Sequence, residues 1–313
     1  MTPLMNLLFP YLLGIINLLP FATTVSTFVD VFVGLHNSRQ VTLKQYRLHK
    51  TTRKDAIKRT TNEAYIQYNV QGPNVVPILG LFSHDEGLCR TGLYLVTQFP
   101  EPIPIALYLE TNPAINRRLL VRDALRGLFH IHTKGAAHGN IGEGSVFVNS
   151  LGRAVIGGFG FARLVKCGTQ AVPSSFEASS HVIETAPYQP PEFLEAHLAD
   201  ESTSPTMAGD VYSMACCIYK VMTGYTPFYE VSPGTPSLFR HCRIMEEVQG
   251  GKAPLKPQVT DRAFTHFGLT QDLWDMMTGC WDIEPKRRPL TLTLVEWPSL
   301  SDIADPRPTL IEV

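Results

Sequence analysis

The sequence predicts an α+β fold: a small β-rich part reaching to about Phe99, then a larger helical part. Three observations predict it. From Phe28 the chain reads F-V-D-V-F-V-G, turns at His36-Asn37-Ser38, and continues V-T-L-K-Q-Y-R, two runs of β-formers around a polar turn. A third run, L-Y-L-V-T-Q-F over residues 93–99, has the composition of a buried strand. After it the pattern becomes helical, and residues 117–132 set Leu119, Leu120, Ala124, Leu125, Leu128 and Ile131 on one amphipathic face.

Composition bounds what such a fold can be. The 313 residues are 44% hydrophobic and 18% charged, which suits one large domain or two small ones with an ample core. A formal net charge of −1 gives no global attraction to nucleic acid. Six cysteines (Cys89, Cys167, Cys216, Cys217, Cys242, Cys280) include no C-x-x-C and no zinc spacing, so they read as reduced, mostly buried thiols of a cytosolic fold. The chain shows no repeat, low-complexity tract or long charge run. The N-terminus stands apart, since no Lys, Arg, Asp or Glu precedes Asp30 and residues 4–19 are apolar on nearly every side. That run is shorter than the roughly 20 apolar residues of a membrane helix. It also carries Asn6, Pro10 and Asn17 and lacks the basic n-region of a signal peptide. Two readings stand for residues 1–22: a weak membrane or targeting segment, or an apolar strap on the domain (or a misassigned start). On the first, the protein is cytoplasmic with membrane contact through residues 4–19.

In chain order, residues 54–70 read as a helix, with Ala56, Ile57, Ala64, Tyr65 and Tyr68 at helical spacing. G-P-N-V-V-P-I-L-G (72–80) leads from it to the strand at 93–99. Beyond the helix at 117–132, Val146-Phe147-Val148 and Ala154-Val155-Ile156 are short strands around a Ser150-Leu151-Gly152 turn. Most of residues 161–191 is loop, with hydroxyls at Thr169, Ser174, Ser175, Ser179, Ser180 and Thr185.

Around the two short strands lie H-G-N-I-G-E-G-S (138–145) and G-F-G (158–160). They resemble the catalytic loop and metal-binding loop of a protein kinase, H-[RG]-D-L-K-x-x-N and D-F-G. Other landmarks follow in family order. Lys44 matches the Lys of V-A-I-K, and Glu63 matches the helix Glu that partners it, in the register set by residues 72–80. Y-Q-P-P-E (188–192) resembles A-P-E, and G-D-V-Y-S-M-A-C-C-I-Y-K-V-M-T-G-Y-T-P-F (209–228) resembles the family's central helix. C-W-D-I-E-P-K-R-R-P (280–289) resembles C-W-x-x-D-P-x-x-R-P. No single motif carries the resemblance; the ordered set does, over about residues 23–297. The C-W…R-P and H-G forms look most like the tyrosine-kinase-like Ser/Thr branch.

The resemblance implies a two-lobed protein kinase fold, with an N-lobe at 23–99, a C-lobe at 100–297 and a tail at 298–313. It implies a Lys44–Glu63 ion pair that positions phosphates. It places Thr97 at the gatekeeper position and Gln98, Phe99 and Pro100 along the hinge, where Pro100 offers no N–H. Thr42 replaces the small Ala that faces adenine, and Val31 and Phe147 complete the nucleotide walls. The loop that should cover the phosphates has no glycine, only Thr24, Ser26 and Thr27, so close backbone approach is compromised. The structural frame would be His138, Phe159, a Glu192–Arg288 pair, and Asp210, which would accept N–H bonds from the catalytic loop and cap its own helix. Hydroxyls in the 161–191 segment would be phosphoacceptors or simply a polar surface.

The frame is kept while the chemistry is missing. Asn140 stands at the catalytic Asp position, Ser145 at the Mg²⁺-binding Asn, and Gly158 at the Mg²⁺-binding Asp. Mg²⁺ wants hard oxygen ligands, usually carboxylates, and the one acid of the loop is Glu143. No metal site is expected, and ATP is expected to bind weakly or not at all through Lys44 and the hinge. Two readings follow. One is a pseudokinase, a binding or allosteric module for kinase or other signalling proteins. The other is an atypical Ser/Thr kinase that uses a displaced metal ligand.

Overall fold

The structure, a computed structural model, describes residues 24–25, 29–47, 53–84, 92–165, 185–199 and 204–307. Residues 4–19, Ser26, Thr27 and the hydroxyls from Thr169 to Ser180 lie outside that set. Strands come first. β1 (Thr24–Val25), β2 (Val29–His36) and β3 (Arg39–Tyr46) form an antiparallel run, with Asn37 and Ser38 both at positive φ in the two-residue turn between β2 and β3. Helix α1 (Arg53–Asn69) precedes β4 (Ile78–His84) and β5 (Gly92–Gln98). The five strands form one sheet in the order β1-β2-β3-β5-β4.

Side-chain alternation divides this sheet into two faces. On one, Phe32, Val41, Leu43, Phe82, Tyr94 and Val96 make a core of their own, with Phe32 and Tyr94 in edge contact at 5.9 Å between centroids. On the other, Leu81, Leu93 and Leu95 pack with Ala64 of α1. The register Thr42↔Thr97 and Lys44↔Leu95 puts Lys44 on this second side.

β6 (Ile103–Pro104) and α2 (Ile105–Thr111) connect to the helical part. There α3 (Arg117–Thr133) and α5 (Met207–Thr223) are buried along most of their length. Asn116 caps α3 by accepting the Arg118 N–H, and Thr206 caps α5 by accepting the Gly209 N–H at 2.9 Å. α5 stops at Gly224, φ 82°, a left-handed position that favours glycine. Between α3 and α5 run β7 (Ala136–Ala137), β8 (Val146–Val148), β9 (Ala154–Ile156), β10 (Arg163–Leu164) and α4 (Pro191–Leu198). α6 (Ser237–Gln249), α7 (Arg262–Thr265), α8 (Gln271–Cys280), α9 (Thr291–Val295) and α10 (Pro298–Ser301) complete the helical part.

The expected α+β architecture is present, with the β-sheet first and the helices after it. Residues 298–307 pack onto the helical part: Leu300 is fully buried, and Arg307 bonds Asp123 at 2.7 Å and the Gly152 carbonyl at 2.8 Å. The expected location, cytoplasmic with membrane association through residues 4–19, is corrected. Among the described residues no helix is long and apolar enough to cross a membrane.

Candidate functional site

A cleft of about 520 Å³ opens between the sheet and the helical part, with Val31, Lys44, Glu63, Leu95, Glu101, Phe147 and Gly158 among its walls. Its upper wall follows from strand alternation, since residues 42, 44 and 46 of β3 point the same way. Lys44 and Tyr46 therefore both face the cleft. Its floor comes from the β8–β9 hairpin. Val76 N–H donates to Ile156 O and Ile156 N–H to Asn74 O, each at 2.8 Å, which fastens the hairpin to the segment after α1. Gly157 N–H then donates to Ser145 O at 2.9 Å and sets residues 145 and 158 side by side.

Lys44 and Glu63 line one cleft, but the expected ion pair between them is corrected. Lys44 Nζ pairs with Glu101 Oε1 at 2.5 Å, each side chain about a fifth exposed (21% and 23%). Glu63 instead accepts from the Tyr46 hydroxyl at 2.8 Å. Burial pushes the Glu63 carboxyl above its ordinary range, opposed by that hydroxyl, the nearby Lys44 charge and the Phe159 N–H. Glu101 arrives because β6 pairs with β8, Ile103↔Val148 and Pro104↔Phe147, which draws residues 101–104 along the cleft mouth.

Val31 and Phe147, expected as nucleotide walls, line the cleft. Thr42 and Thr97 are each 1% exposed and are not among the cleft-lining residues. They face each other across the β3–β5 pair, where two branched side chains fill the space a small residue would leave open. Gln98 and Phe99 line a different hollow with His36, Arg39 and Leu79.

Among the three altered positions, Ser145 is buried and its hydroxyl is engaged, accepting from Gly142 N–H at 2.9 Å and donating to Gly142 O at 3.1 Å. Gly158 sits at φ 80°, and a Cβ there would meet nothing nearer than Gly144 O and Ser145 Cβ at 4.0 Å. Asn140 is half-buried, with its N–H 3.3 Å from His138 Nδ1. Glu143 turns away from Gly158, to the Tyr188 hydroxyl at 3.3 Å and Lys220 at 3.8 Å. Among the described residues no three His, Cys, Asp or Glu side chains are grouped to hold a metal.

Beneath the loop the frame is well bonded. Asp210 accepts the N–H groups of His138 at 2.7 Å and Gly139 at 2.8 Å, and lies 3.0 Å from His132 Nε2. It does not cap its own helix, as the sequence had suggested; it lies inside the first turn, and Thr206 supplies the cap. His138 Nε2 is 3.0 Å from Gly157 O, and its ring meets Phe159 edge-on at 4.9 Å. Burial pushes the His138 imidazole below its ordinary pKa. Glu192 and Arg288 form two parallel 2.7 Å bonds.

Sequence reasoning missed Tyr46, Glu101 and Thr206. Tyr46 was within reach, two residues past Lys44 on the same strand face. Thr206 had the signal of a hydroxyl just before a helix. For Glu101 the only signal is a carboxylate between prolines soon after a buried strand.

A sequence profile of the protein kinase domain matches residues 27–298. The chain belongs to the protein kinase family. MAP3K epsilon protein kinase 1 of Brassica napus is 22% identical over 276 residues, covering 86% of this chain and 18% of that protein. Mitogen-activated protein kinase kinase kinase 4 of Homo sapiens is 22% identical over 260 residues, covering 82% of this chain and 14% of that protein. The probable serine/threonine-protein kinase PknB of Bifidobacterium longum is 25% identical over 207 residues, covering 64% of this chain and 29% of that protein. This kinase domain thus spans under a third of each of these relatives. Members of the family in general bind ATP.

Proposed function

We propose that this kinase domain is a pseudokinase, a signalling module that works by binding other proteins, with little or no phosphoryl transfer. It would comprise an N-lobe at 23–99 and a C-lobe at 100–297, and belong to the tyrosine-kinase-like Ser/Thr branch. One observation carries the reading: among the described residues no carboxylate stands at positions 145 and 158, and Lys44 is taken by Glu101. The residues present do not fit a Mg²⁺-nucleotide. Mg²⁺ asks for one or two carboxylates beside the phosphates; Gly158 offers no side chain, and the Ser145 hydroxyl is spent on Gly142. Thr42 and Thr97 are buried outside the cleft lining, so Val31, Phe147 and Lys44 are what remains of a nucleotide site.

The frame, by contrast, supports a folded domain with a stable surface. Asp210, His138, Phe159, Glu192 and Arg288 act in it as structural residues. The relatives are named as protein kinases, which supports protein partners within signalling. An active enzyme using Glu143 as a substitute ligand is disfavoured by that side chain's turn toward Tyr188 and Lys220.

The test is a thermal-shift series with ATP plus Mg²⁺ and ATP plus chelator. A ligand at a hundredfold over Kd stabilises by about 2.7 kcal/mol, a shift of several degrees. The expected result is no shift, or equal small shifts. A larger shift with Mg²⁺ would overturn the reading.

A further inference from the structure

We propose that Glu101 is a specificity-determining residue of the cleft: its carboxylate stands in for a ligand's phosphate at Lys44 and so sets the cleft against phosphate-bearing ligands. This deepens the reading above and rests on it. The Lys44–Glu101 pair lines the cleft at its mouth, with each side chain about a fifth exposed (21% and 23%). Glu101 does not reach in from a free loop. The next residues are held by strand pairing, Ile103↔Val148 and Pro104↔Phe147. Lys44 Nζ also lies 5.4 Å from the centre of the Phe147 ring, so the cation is held from two sides.

Charge decides the consequence. Among the described residues the charged side chains lining the cleft are one lysine, Lys44, and two acids, Glu63 and Glu101. Glu63 accepts from the Tyr46 hydroxyl, with the Lys44 charge nearby but not in an ion pair with it. An incoming phosphate would have to displace Glu101 from the lysine and then sit beside a released carboxylate. Like charges brought together in a partly buried site oppose binding strongly. A ligand without phosphate meets no such cost, and Val31, Leu95 and Phe147 offer it an apolar wall.

The experiment is calorimetric titration of ATP, in chelator, into the wild-type chain, Glu101→Gln, Lys44→Met and the double variant, with adenosine as the phosphate-free probe. Melting curves check that each variant folds, and Lys44→Gln replaces Lys44→Met if the latter does not. Glu101→Gln is expected to bind ATP on the order of tenfold tighter than wild type, with adenosine affinity unchanged. The gain should vanish in the double variant. An unchanged or weaker ATP affinity in Glu101→Gln overturns the proposal, as does a gain that survives the loss of Lys44. An equal gain for adenosine overturns it too, because Glu101 would then only fill space. Because the comparison is made without metal, a Mg²⁺ enhancement in wild type would sink the pseudokinase reading separately and leave this comparison legible.

Discussion

Replacing Glu192 with alanine removes the carboxylate partner of a fully buried cation. The Arg288 side chain is 0% exposed, and its guanidinium makes two 2.7 Å bonds to Glu192. It keeps two further acceptors, the carbonyls of Asp282 at 2.9 Å and Ala208 at 3.1 Å, and lies 5.2 Å from the Tyr212 ring centre. Breaking a buried pair from one side costs about 3–5 kcal/mol. The low end applies here, because those acceptors remain and Glu192 is itself 31% exposed. Glu192→Ala should therefore lose about 3 kcal/mol. In equilibrium urea unfolding, with a slope of about 3 kcal/mol per molar for a chain of this size, the midpoint should fall by about 1 M. Adding Arg288→Met removes the stranded charge. The double variant should then be more stable than the sum of the two singles predicts by roughly 2 kcal/mol. A midpoint change under about 0.3 M, or strict additivity, would refute the idea that this cation depends on its carboxylate.

Two more predictions concern the loop above that frame. His138 is held neutral by burial, so its folded pKa lies below the unfolded value of about 6.5. Its contribution to stability is then full above that pH and lost as pH falls toward the folded pKa, since the unfolded chain takes up the proton first. Urea midpoints at several pH values should show a smaller acid loss in His138→Gln than in wild type. Restoring the family's catalytic Asp with Asn140→Asp and its metal ligands with Ser145→Asn and Gly158→Asp should make the ATP melting shift larger with Mg²⁺ than with chelator. Gly158 has room for the new side chain, and Asp tolerates positive φ better than most residues. Equal shifts in the triple variant would mean that the missing ligands are not what keeps metal out.

Much of this was legible from residue order. Period-two runs marked β2, β3 and β5, and period-3.6 spacing marked α3, because alternation and amphipathicity are local properties. The frame contacts of Asp210, Glu192 and Arg288 were legible because each sits in a motif whose spacing fixes it. The Lys44 partner was not. Which acid reaches a lysine depends on how a connecting segment crosses the cleft, and that crossing is set by the β6–β8 pairing, a contact between residues 103–104 and 147–148. The fate of Thr42 and Thr97 was hidden for the same reason, since burial of a mid-strand hydroxyl depends on the facing strand and not on its own neighbours.

Gly139 and Gly158 differ in how far each could be undone. At Gly158 a side chain would find open space. At Gly139 the ring of Pro205 fills the place of a Cβ, and the backbone stands at φ 74°. A single substitution can return a carboxylate to the first position, whereas an arginine at the second would have to wait until Pro205 had moved or changed. The loop is thus asymmetric: the space beside Gly158 is open to a new side chain, and the space beside Gly139 is already filled. Any side chain added at position 139 would meet that packing as a constraint, with Pro205 as the residue that must give way first.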